Sequence, residues 1–302
     1  MTIASRYRDL IALFPRFLSK RRVGWQGLRD ILSTSGLERP ALFLLIAIVG
    51  EVDARHGLSR DELERRLFNP YSTFDPIFDR LPQLVEKGYL SYGEDDGYRV
   101  TDEGREVADR VELGARAYLA GLDVLLPGEL TRLATTLEAI AARLWQADEP
   151  KIKAHQARAR RVPPITTDAP MVHLEAAIMS LWMARDDAHM AAWRAEGFSG
   201  PQMDLLGRVW MGEAQTVPGL IAAVERTQHA EDVVEGVNAL VEAGYVVVEG
   251  ERVTITDAGR QVRARIEEET DRVYFSPWPQ MTAEELEWVY RSLEAVCSKL
   301  GG

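Results

Sequence analysis

Few residues in this chain have the types and spacing that catalysis needs. Five histidines, His56, His155, His173, His189 and His229, are scattered through 302 residues, and the one suggestive local set is Asp186-Asp187-x-His189. An aspartate and a histidine three apart share a helix face and could begin a metal site, but no second histidine stands at helical spacing, so surface ion pairing is the better reading. The sequence has neither a Gly-rich phosphate loop nor a Gly-x-Ser-x-Gly elbow. A lone Cys297 can make no internal disulfide and no zinc cluster, which points to a reducing cytoplasm. These features predict a protein that is not an enzyme and that uses no cofactor and no metal.

The chemistry that remains is that of cations with phosphates. Two short basic segments stand out. Residues 1–30, with Arg6, Arg8, Arg16 and Lys20-Arg21-Arg22, carry a net +5, and residues 148–165, with Lys151, Lys153, Arg158, Arg160 and Arg161, carry +3. The bodies are acidic: −7 over 37–147, −3 over 166–197 and −9 over 198–302, for −11 overall. Arg21, Arg22, Arg160 and Arg161 are therefore candidates to touch phosphates, the alternative being that they are solvated or pair with the acidic bodies of the same molecule. With 27% charged and 46% hydrophobic residues the chain reads as soluble and globular, with room for about two domains. Its longest apolar run, 41–49, is far below the roughly 20 residues a membrane helix needs. The apolar stretch 10–18 is broken by Pro15 and Arg16, so no signal peptide is expected.

The elements that must carry these residues are legible because the sequence repeats itself at an offset of about 156. Leu84-Val85-Glu86-Lys87-Gly88-Tyr89 returns as Leu240-Val241-Glu242-Ala243-Gly244-Tyr245, and Val100-Thr101-Asp102-Glu103-Gly104-Arg105 as Ile255-Thr256-Asp257-Ala258-Gly259-Arg260. Glu129-Leu130 and Leu137-Glu138-Ala139 likewise match Glu285-Leu286 and Leu293-Glu294-Ala295. In the first copy an apolar helix is expected over 40–55, then a short helix capped by Ser59 and ending at Leu67. A third helix, capped by Ser72 or Thr73 and kinked at Pro82, should end at Gly88. Strands over 89–92 and 98–101 flank a glycine-bounded turn, and Thr101 caps a further helix. In the second copy the same elements fall at 201–213, 216–225, 229–243, 245–249 and 252–256, with a helix from Asp257.

Helix, helix, helix, hairpin, helix is the order of a winged helix-turn-helix. The Leu-Val-Glu-x-Gly-Tyr helix end, the wing, the Thr-Asp-x-Gly-Arg helix start and the closing Glu-Leu…Leu-Glu-Ala helix together resemble the MarR family of bacterial regulators. The resemblance covers about 37–146 and 198–300. Helical stretches at 7–34 and 170–193 stand where that family has its first dimerisation helix. The expected fold is therefore mainly α with small β-wings, a tandem winged helix-turn-helix forming a single-chain pseudo-dimer. Its divisions would be 1–147, a basic linker 148–167, and 168–302.

The resemblance implies a cytoplasmic transcription regulator that binds double-stranded DNA and responds to a small aromatic or lipophilic effector, acting as a monomeric pseudo-dimer or a homodimer. It also implies a pocket between dimerisation helices and winged helix, for which Trp182, Trp193, Trp210, Tyr274 and Trp278 are candidates unless they simply fill helix junctions. The electrostatics resist the DNA part. Segment 72–87, with Ser72, Thr73 and Arg80 as candidate contacts, holds Arg80 and Lys87 against Asp75, Asp79 and Glu86, and 229–243 holds no cation against four acids. Arg99 and Arg252, on the return strands, either contact DNA or neutralise the acidic wing tips. The alternative function is thus a degenerate winged-helix protein that does not read DNA and serves as a ligand-binding or protein-interaction module.

Overall fold

The computed structural model describes residues 3–51, 57–67, 69–93, 96–160 and 166–300, with side chains from residue 6 onward. His56 and Arg161, both named above, lie outside them. The protein is mainly helical, with two small antiparallel hairpins. The helices are α1 (Ile3–Lys20), α2 (Gly27–Ser35), α3 (Arg39–Glu51), α4 (Arg60–Leu67), α5 (Leu81–Glu86), α6 (Asp102–Ala120), α7 (Pro127–Gln146) and α8 (Ala154–Ala159). They continue with α9 (Pro170–Ala195), α10 (Gly200–Met211), α11 (Val217–Val224), α12 (Ala230–Glu242), α13 (Asp257–Phe275) and α14 (Ala283–Lys299). Strands β1 (Leu90–Tyr92) and β2 (Tyr98–Val100) form one hairpin, β3 (Val246–Glu249) and β4 (Arg252–Ile255) the other. Among the described residues no single helix is long and apolar enough to cross a membrane.

Two compact units emerge: 1–37, 106–188 and 273–302 make one, 38–105 and 189–272 the other. Among its described residues the first unit has helices and no strand. Leu133, Leu137, Ile140 and Leu144 of α7 and Leu286, Val289, Leu293 and Val296 of α14 recur at three- and four-residue spacing, so each helix presents one continuous apolar stripe. These stripes meet Leu10, Phe14 and Phe17 of α1 and Leu174, Ile178 and Leu181 of α9 in one core. Each such fully buried side chain is worth roughly 2 kcal/mol. Thr282 fixes the start of α14, accepting from Glu285 N while the Glu285 carboxylate accepts from Thr282 N, a reciprocal cap.

The second unit contains both hairpins, and its two halves are built alike at the junction of helix, strand and helix. In one, Gly88 takes φ 77°, Thr101 Oγ1 donates to Gly88 O at 2.6 Å, and Gly104 N donates to Thr101 Oγ1 at 3.0 Å. In the other, Gly244 takes φ 74°, and Thr256 Oγ1 makes the same two contacts with Gly244 O and Gly259 N at 2.7 and 3.0 Å. A Cβ on Gly104 would come within 2.1 Å of Tyr89 O, and one on Gly259 within 2.2 Å of Tyr245 O. Only glycine permits that approach, so the helix after each wing seats directly on the residue that leads into the wing's first strand.

The largest departure from the expected elements lies at 72–88. Instead of one helix capped by Ser72 or Thr73, the chain makes a short 3-10 helix, Pro76–Arg80, followed by α5. Asp75 is the cap, with its carboxylate accepting from Ile77 N at 3.0 Å. Two prolines explain this. Pro76 is best placed in a first turn, so the residue before it takes the capping position. Pro82 cannot donate to Phe78 O and its ring crowds that carbonyl, so a continuous α-helix breaks there rather than kinks. At the start of the chain's third helix the expected 40–55 is observed as Arg39–Glu51, with 52–56 outside the described residues.

Candidate nucleic-acid interface

In the second half of the hairpin unit, α10, α11 and α12 precede β3 and β4 in the order of a helix-turn-helix with a wing. Ser199 caps α10 with a reciprocal Gln202 contact and Thr216 caps α11. Val233, Val237 and Leu240 of α12 are buried, which leaves Glu231, Val234, Glu235, Asn238, Val241 and Glu242 on the outer face. That face has no cation and three carboxylates, the reverse of what a phosphate-lined groove attracts.

The start of α12 is covered. Thr73 N and Phe74 N both donate to Thr227 O, at 2.8 and 3.3 Å, and the Thr73 hydroxyl donates to the Asp232 carboxylate. The Phe74 ring stacks on His229, with centroids 4.0 Å apart and planes 11° from parallel. Gln228 Nε2 donates to Tyr71 O at 3.4 Å, and Trp193 Nε1 donates to the Tyr71 hydroxyl at 3.3 Å. A Cβ on Gly200, the first residue of α10, would lie 1.8 Å from Pro70 O. Residues 227–232 are the counterparts of 71–76 at the sequence offset of 156, so like stretches of the two halves meet along one seam. Ser72 and Thr73 therefore sit in this seam, Ser72 buried and Thr73 bound to Asp232.

Arg80 of the 3-10 helix is partly exposed and reaches Glu38 at 3.6 Å, while neighbouring Asp79 takes Arg60 at 3.1 Å. Arg99 is half-buried on β2. Arg252 is exposed on β4, directly opposite Glu249, a cross-strand pairing of opposite charges. In the helical unit the basic segments are largely engaged. Arg21 and Arg22 both grip the buried Glu175, Arg22 at 2.9 Å, and Arg6 pairs with Glu287 at 2.6 Å. Lys153 donates to Leu144 O and Trp145 O, at 3.1 and 2.7 Å, and to Ala147 O, so it closes the end of α7 where the helix dipole is negative. Burial pushes the Lys153 pKa down. Arg160 lies over the Trp145 ring, 4.6 Å from its centroid.

The five candidate pocket aromatics fall into separate settings. Tyr274 and Trp278 are buried with Tyr7 and Phe275 in a four-ring cluster, and Trp182 packs at the edge of the same core. Trp193 is buried against Tyr71, and Trp210 is exposed under Arg263.

The Asp186-Asp187-x-His189 set is not a surface ion pair. Asp187 is buried and its carboxylate accepts from His155 N and Gln156 N, at 2.9 and 3.0 Å, which fixes the start of α8 on α9. Burial pushes the Asp186 carboxyl up to about 6. His189 turns to Thr270, at 3.2 Å. Among the described residues no group of three histidines, cysteines or carboxylates could hold a metal ion.

Residues 153–301, which include α9 to α14, match the model of a helix-turn-helix family. A domain of that kind suggests a DNA-binding regulator in general. No curated protein and no solved structure matches the chain significantly.

Proposed function

We propose that the chain is a single-chain pseudo-dimer of two MarR-like winged helix-turn-helix copies, and that it is a regulator which contacts DNA and responds to a small ligand rather than an enzyme. The observation that carries the reading is the wing junction built twice, with Thr101, Gly88 and Gly104 in one half and Thr256, Gly244 and Gly259 in the other making the same contacts. The seam gives it a mechanism. A symmetric dimer of winged helices offers its reading helices to half-sites about 34 Å apart. Here the segments that start those helices touch, so the form described is closed, and a ligand that favours the open spacing would switch DNA binding on. The test is fluorescence anisotropy with the upstream DNA of the chain's own gene and a random duplex, at low and moderate salt. Binding that falls steeply with salt, and that strengthens in a Gly200→Ala variant with a disturbed seam, supports the reading. No binding by either protein at low salt refutes it.

A second reading is favoured by the outer face of α12, where Glu231, Glu235 and Glu242 flank exposed Val234 and Val241. On that reading the winged helices have given up DNA and the protein is a ligand-binding or protein-interaction module. The same titration separates the two.

A further inference from the structure

The helical unit contains a cleft of about 210 Å³ between α7, α8 and α9. Its walls are built by helical spacing: Glu138, Ala141, Ala142 and Trp145 on one face of α7, and Ala176, Ala177 and Ser180 on α9. Gln156 and Arg160 also line it, from α8 and its end, four residues apart and so on one side of the turn. Neither can drift far. Asp187 holds the first turn of α8 to α9, and Lys153, one residue before α8, is tied to the last carbonyls of α7.

Two features of the cleft are unspent. Gln156 is 4% exposed, and its Nε2 is buried without a hydrogen-bond partner among the described residues. A buried amide donor left unpaired is costly, and a ligand acceptor recovers that cost. Arg160 stacks on Trp145 at the mouth, which holds its guanidinium in place. The opposite charge at the far end is already answered. His173 Nδ1 lies 2.6 Å from the Glu138 carboxylate and its Nε2–H donates to Thr167 O at 2.9 Å, so this histidine is the partner that answers Glu138. Burial works against a charge on the ring, but the bonds to Glu138 and Thr167 outweigh it and the His173 pKa is raised. The remaining charge of the cleft is therefore that of Arg160, and both unspent groups are donors.

We propose that this cleft binds a short-chain carboxylate, with the head group on Arg160, the Gln156 amide turning its buried Nε2 toward it, and the hydrocarbon tail on Ala141, Ala176 and Ala177. The size follows from the volume. A cleft of about 210 Å³ admits a ligand of a few carbon atoms, and pentanoate serves as the probe. A cation finds no free carboxylate, and a neutral alcohol leaves Arg160 unanswered.

The site deepens the ligand-responsive part of the reading above, and a titration of the intact chain without DNA tests it separately. Pentanoate, acetate, pentan-1-ol and pentylamine are titrated by calorimetry and ligand-observed NMR up to about 10 mM, a range suited to ligands this small. Saturable pentanoate binding, about tenfold tighter than acetate or pentan-1-ol, is expected. Arg160→Gln should weaken it about tenfold, and Gln156→Leu by a similar factor. Ala142 and Arg160 are exposed, so Ala142→Phe, which fills the cleft from its rim, keeps the test valid if Gln156→Leu fails to fold. Three results overturn the proposal: no saturable binding, pentan-1-ol or pentylamine binding as tightly as pentanoate, or pentanoate affinity unchanged in both Arg160→Gln and Ala142→Phe. Pentanoate binding with no DNA binding leaves this site standing and removes only the DNA reading.

Discussion

Gly200→Ala is the most direct probe of the seam. The new methyl carbon would stand 1.8 Å from Pro70 O, whereas ordinary contact begins at 3.4 Å, so segment 69–75 must move by roughly 1.6 Å. Hydrogen bonds of 2.8 and 3.3 Å from Thr73 N and Phe74 N to Thr227 O do not survive that displacement. The Gln228–Tyr71 bond, the Thr73–Asp232 bond and the Phe74–His229 stack lie on the same edge. At about 1 kcal/mol for each of four hydrogen bonds and about 1 for the stacked rings, complete separation costs roughly 5 kcal/mol, and partial separation about 3. The helix-propensity gain of alanine over glycine, about 1 kcal/mol, works the other way and is too small to cancel it. Hydrogen exchange read by mass spectrometry should show the amides of 69–75 and 227–233 opening about a hundredfold more readily. Unchanged exchange in both segments, together with an unchanged melting temperature, would refute the seam as described.

Three further outcomes are expected. Asp186→Asn should stabilise the protein by on the order of 2 kcal/mol at pH 8 and hardly at all near pH 4, as followed by denaturant melts. A carboxyl raised to about 6 holds its proton better in the folded state, so its penalty grows as pH rises from about 4 through 6. Thr101→Ala and Thr256→Ala should each cost about 1–2 kcal/mol and add in the double variant, because the two caps share no partner; a cost in only one half would show that the junctions are not equivalent. Arg80→Ala should weaken DNA binding by about 1–3 kcal/mol where that arginine reads a base, checked by anisotropy against the unmodified chain.

Local chemistry made most elements legible. Thr101 and Thr256 announced helix starts, Gly88 and Gly244 announced ends, and the ranges expected for the second half lie within two residues of α10, α11 and α12. At 72–88 three capping residue types compete within four positions, and Pro76 decides among them by fixing the first turn at Asp75. The seam could not be read beforehand, because Phe74 and His229 are neighbours only through tertiary packing. The same holds for the basic segments. Nothing near Arg21 or Arg22 in sequence foretells Glu175, more than 150 residues away, as their partner. The cleft hid for a different reason. Gln156 and Arg160 sit in a stretch that composition marks as a linker, and only their four-residue spacing hints at a shared face.

Both edges of the seam belong to one polypeptide, and that alters how it can be regulated. Where two separate subunits meet across an axis, each face must be its own complement, and dilution alone drives the faces apart. Covalent linkage frees the edges to differ, so Thr73 can oppose Asp232 and Phe74 can oppose His229. It also makes parting a first-order event, governed by an intramolecular effective concentration. Seam opening should therefore respond to a ligand that binds the open and closed forms unequally, and not to how many copies of the chain a cell holds.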